Sequence, residues 1–82
     1  MPVSLKETQG GLGAVLRHAS KAESKALKAG FEGVEVYIKA PNVSKATLLD
    51  FAKKGGLSQI PKQGTISSIS VITEGGKLVR IK

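Results

Sequence analysis

His18 is the chain's one imidazole, and no cysteine accompanies it. The remaining ligand types are six scattered carboxylates, with Asp50 the sole aspartate. A metal site needs three or four suitable ligands brought together, and no two candidates stand at ligand spacing on one element. No metal and no cofactor are expected. A catalytic triad needs a nucleophile, a base and an orienting group in one pocket. Serines are plentiful, but His18 is the only conventional base and follows Arg17 on a basic stretch. It is expected to be a solvated surface histidine, and the chain is expected not to be an enzyme.

Glu23 is the acid that stands out, because it falls near the apolar positions Leu16, Ala19 and Leu27. It reads either as a partly buried acid with a raised pKa or as a margin residue. The second reading, with a lysine as partner, is the expectation. Gly10, Gly11 and Gly13 form a glycine loop ahead of a helix. Backbone N–H groups at such a helix start can converge on an anion, aided by the helix dipole. The segment lacks the third glycine of a dinucleotide fingerprint and the Gly-Lys-Ser/Thr ending of a P-loop. An anion-binding loop and a plain flexible turn are both open.

Basic side chains carry the strongest pattern. Arg17, Lys21, Ser24 and Lys28 follow i, i+4, i+7, i+11, which is one stripe of a helix, flanked by His18 and Lys25. Lys45, Lys53, Lys54 and Lys62 form a second cluster, and Lys77, Arg80 and Lys82 a third. A stripe of this kind can track a phosphate backbone and displace its counterions. Eleven lysines against two arginines favour diffuse phosphate contact over bidentate base recognition. The aromatics are Phe31, Tyr37 and Phe51, and of these Tyr37 is the one predicted to point away from the core. Base stacking therefore has little to work with.

Hydrophobic spacing defines the elements that must hold these side chains. Val3 and Leu5 alternate with Ser4 and Lys6 as a short first strand. A helix spans Leu12 to Ala29, its apolar side being Leu12, Val15, Leu16, Ala19, Ala22, Ala26 and Leu27, and Gly30 ends it. Val34 to Lys39 alternates strictly and is the clearest strand. Asn42 or Ser44 caps a second helix running to about Lys54, which explains the Asn42-Val43-Ser44 sequon without a glycan. Residues 57–64 read as a loop. Thr65 to Thr73, a turn at Glu74-Gly75-Gly76, and Lys77 to Ile81 make a C-terminal hairpin.

The order is β-α-β-α-β-β. It predicts a small α+β two-layer sandwich, with both helices on one face of a mixed sheet. In topology this resembles the C-terminal domain of a bacterial translation initiation factor and the small sulfur-carrier proteins. The likeness is one of element order alone, and the absence of cysteine removes sulfur-carrier chemistry.

With 82 residues there is room for one domain, 1–82. The start lacks the pattern of a secretory signal, and no apolar run nears the roughly 18 residues of a spanning helix. A soluble, cytoplasmic protein that does not engage membranes is expected. The net charge is +7, unevenly spread: residues 1–41 hold six bases and four acids, residues 42–82 seven bases and two acids. This charge predicts binding to nucleic acid, RNA or DNA, through its backbone. The alternative is a protein-interaction module docking on an acidic partner. Its natural mode is sheet-edge pairing through the first or last strand, or an edge made by the uncharged run Ser67-Ser68-Ile69-Ser70.

Overall fold

A computed structural model of the chain describes residues 3–56 and 64–82. Their elements follow the predicted order: β1 (Val3–Glu7), α1 (Leu12–Ala29), β2 (Val34–Lys39), α2 (Lys45–Lys53), β3 (Ile66–Ile72) and β4 (Leu78–Arg80). The sheet has spatial order β1-β2-β3-β4; the first three strands are parallel and β4 is antiparallel to β3. Each parallel step needs a crossover helix. Because both steps run the same way across the sheet, right-handed crossovers put both helices on one face. A single core joins Val15, Ala19, Ala22 and Ala26 of α1 and Leu48 of α2 to Val34, Val36, Ile38, Ile69, Val71 and Val79 of the sheet. This is the α+β two-layer sandwich.

The helix ends follow from their residues. Gly30 adopts a left-handed φ of 73°, its N–H reaches the Leu27 carbonyl, and the Phe31 N–H reaches the Ala26 carbonyl at 2.9 Å. This is a Schellman closure, in which the residue after the glycine packs back on the last turns. α2 has only nine residues and depends on its cap and on Leu48. Ser44 supplies the cap: its Oγ accepts from the Thr47 N–H at 3.1 Å.

β3 departs from simple alternation. Val34 pairs with Ile66 but Glu35 with Ser68, so Ser67 is an extra residue in a bulge. Its Oγ donates to the carbonyl oxygens of Gly33 at 3.0 Å and Val34 at 3.3 Å. The bulge is what lets Ile66, Ile69 and Val71 all face the helices. The sheet order puts the serine run on an interior strand, between β2 and β4. The expectation that this run forms an edge is therefore overturned; the edges are β1 and β4. The β3–β4 connection is a short 3-10 turn, Glu74–Gly76, closed by the Thr73 N–H on the Lys77 carbonyl at 2.8 Å.

Candidate anion-binding surface

The row Val15, Ala19, Ala22 and Ala26 is buried along α1. Arg17, Lys21, Ser24 and Lys28 begin two residues later, about 200° round the helix, and all four are exposed. Lys25 follows Lys21 by one turn and lies between the exposed and buried rows, on the side toward β1. Leu27 was expected on the apolar side but is 52% exposed, since it lies 100° past Ala26.

β1 contributes a residue that helix periodicity alone misses. Register pairs Ser4 with Val36 and Lys6 with Ile38, so Ser4 and Lys6 share the helix-covered side of the sheet. Lys6 thus rises toward α1, where the ammonium groups of Lys25 and, more weakly, Lys21 act on it. Its stem is partly covered while its amine stands in solvent. The Lys25 ammonium is the main reason that Lys6 loses its proton more readily than a free lysine; slight desolvation and Lys21 add to it. No carboxylate acts on Lys6 among the described residues.

Beside these lysines, β1 and α1 frame a cleft of about 240 Å³. Val3, Ala22, Ala26, Ala29, Val34 and Phe31 line it, with Ser4 and Lys25 as its polar members. Phe31 is 54% exposed, held there by the Schellman closure. The expectation that Tyr37 is the one outward aromatic is corrected by this, because Phe31 faces solvent at the cleft.

The second cluster is less concentrated. Lys45 and Lys53 are exposed, whereas Lys54 pairs with Asp50 at 3.0 Å. Lys62 lies outside the described residues. In the third cluster, Arg80 Nε donates to the Lys82 carbonyl at 2.8 Å.

The glycine loop is spent largely on packing. The Gly10 N–H is taken by Thr8 Oγ1 at 3.1 Å, and a Cβ there would lie 2.7 Å from that of Ala14. The Gly11 carbonyl accepts from Ala14 and Val15. By helix rise, the loop is roughly 15–20 Å from Lys21 and Lys25 along α1. The structure does not bring Gly10, Gly11 and Gly13 to the lysines.

Glu23 is half-buried, and one of its carboxylate oxygens is buried without a hydrogen-bond partner. No lysine pairs with it among the described residues, contrary to expectation. No group of three metal-ligating side chains converges among those residues either.

Charge is divided by face rather than by half of the chain. The two helices, the Lys54 cap of α2 and Lys6 hold eight bases against two acids, a net +6 of the chain's +7. The open side of the sheet carries Glu7 and Glu35 against Lys39 and Arg80, a net of zero. Both signs alternate there around Leu5, Tyr37, Ile72 and Leu78.

Comparison with protein-family models, with curated proteins and with solved structures finds no match. The shared element order noted above thus stays a likeness of topology. No helix among the described residues is long and apolar enough to cross a membrane.

Proposed function

We propose that the chain is a small nucleic-acid-binding domain that grips the phosphate backbone with its helix face and has no catalytic role. The carrying observation is the convergence of Lys6, Lys21 and Lys25 beside the exposed row of Arg17 and Lys28. Lysines held together without an acid leave repulsion that an anion relieves. With eight of the thirteen bases on one side of the sheet, the field has a direction, and a polyanion approaches that side. Lysine's strongly hydrated point charge suits phosphate contact without base reading. Lys45, Lys53 and Lys54 extend the same face.

The test is fluorescence anisotropy with labelled single-stranded and duplex oligonucleotides over a salt series. About five neutralised phosphates give a loss of roughly 500-fold between about 50 and about 200 mM salt on duplex. Affinity that does not change over that range overturns the reading.

A second reading is favoured by β1. It is an edge strand with one side unpaired, and Leu5 on it is 73% exposed. A protein partner adding a strand there would cover Leu5 and Val3 while its acids met the helix-face lysines. Recovery of one stoichiometric partner after nuclease treatment supports that reading over the first.

A further inference from the structure

Lys25 lines the cleft, with Lys21 one turn before it on α1 and Lys6 on the helix-covered side of β1, so the lysines and the cleft are one continuous site. We propose that this site holds a single nucleotide carrying a terminal phosphate, at the end of a strand or free, with the phosphate on Lys6, Lys21 and Lys25 and the base in the cleft against Phe31. The inference rests on the nucleic-acid reading and deepens it.

The charge argument selects a terminal phosphate. A backbone phosphodiester brings one negative charge, whereas a phosphomonoester carries about −1.5 to −2 at pH 7. Three ammonium groups gathered beside one cleft with no carboxylate acting on Lys6 are better matched by the second. Each also donates up to three hydrogen bonds, enough to engage all the oxygens of a terminal phosphate. An internal phosphate has two of its oxygens tied up in the chain.

The shape argument selects the base. The cleft is small and mostly apolar, lined by Ala22, Ala26, Ala29 and Val34 and by one ring, Phe31. Its volume suits one flat base and little more. Base–aromatic stacking tolerates any sequence, because every base presents a π-face. Ser4 adds one hydroxyl to the lining, too little to read a base edge. The site therefore recognises the presence of an end, not its sequence.

The experiment compares one short oligonucleotide in three forms: 5′-phosphorylated, 3′-phosphorylated and unphosphorylated. The free nucleoside monophosphate and inorganic phosphate are run beside them. A phosphorylated end is expected to bind about tenfold tighter than the unphosphorylated strand, the worth of one or two added charged hydrogen bonds. Lys6→Met is expected to erase that difference; it removes a repelled charge, so folding is preserved. Ala29→Phe, which fills the cleft from an exposed position, is expected to weaken phosphorylated ends while leaving the salt-dependent binding of long duplex intact. Tight binding of the free monophosphate assigns the same site to a mononucleotide. Equal binding of all three oligonucleotides overturns the inference and leaves the backbone reading standing. Inorganic phosphate competing as well as the nucleotide overturns the role given to the cleft. Binding of no oligonucleotide at any salt overturns both readings.

Discussion

Lys6 on β1 and Lys25 on α1 meet as like charges: the β1–β2 register turns Lys6 to the helix-covered side, where the Lys25 ammonium acts on its amine. That approach is unfavourable while both are protonated. The folded Lys6 amine titrates below its ordinary value of 10.5. In the window between that lowered value and 10.5, the unfolded chain binds more protons than the folded one. Stability therefore rises with pH across this window and falls as pH drops through the folded pKa. Lys6→Met is expected to be more stable than the parent at pH 7, with a flatter alkaline profile. Thermal unfolding from pH 7 to pH 11, at low and high salt, checks it. Added salt should stabilise the parent more than the variant, since it screens the repulsion. A variant less stable than the parent at pH 7 contradicts the argument.

Gly10 and Gly13 stand three residues apart and answer to opposite rules. A Cβ on Gly10 would meet that of Ala14 at 2.7 Å, while nothing lies within 4 Å of one on Gly13. Gly10→Ala forces the loop away from the helix and is expected to cost about 1–3 kcal/mol, as overpacking does. Gly13→Ala sits inside the first turn of α1 and is expected to gain about 0.5–1 kcal/mol. Urea unfolding of both variants decides. Similar effects of one sign would show that the loop does not touch the helix as described.

Periodicity made part of this fold legible and register made the rest illegible. The apolar spacing from Leu12 to Ala29 and the alternation of Val34 to Lys39 name their elements to the residue. Each needs only its own side chains to define a face. The bulge at Ser67 does not follow from spacing, because Ser67-Ser68-Ile69-Ser70 fits neither face of a regular strand. It resolves only once Val34 and Val36 dictate which residues must point inward. The basic stripe of Arg17, Lys21 and Lys28 was readable as a helix face. The partnership of Lys6 with Lys25 was not, since it depends on which side of a parallel sheet the helices cover. Phe31 looked like core by type, but a Schellman closure places it after the last turn, over the cleft.

Ser44 caps a helix too short to hold itself together. Its Oγ accepts from Thr47 N–H, and Leu48 is the one buried anchor of α2. Ser44→Ala is expected to lower stability by about 1 kcal/mol, and Ser44→Asn or Ser44→Asp to restore most of it. Circular dichroism with urea titration measures both. Loss in all three variants alike would assign the role to the hydroxyl's own donated bond to Thr47 Oγ1, at 2.7 Å, rather than to the cap.

The division of charge by face gives the sharpest test of direction. Lys21→Glu with Lys28→Glu and Lys39→Glu with Arg80→Glu change the net charge equally, from +7 to +3. The first pair lies on the exposed row of α1 and the second on the open sheet face. If a field without direction drew the nucleic acid, both doubles would weaken binding alike. If the helix face is the contact surface, the first double loses about two phosphate contacts and gains two repulsions. A loss of at least tenfold at moderate salt is expected, with a salt slope shallower by about two. The second double should keep the parent's slope and lose little affinity, because its residues touch no phosphate. Unfolding curves confirm that each double is folded before affinities are compared. A weaker second double and an unaffected first would move the binding surface to the open sheet.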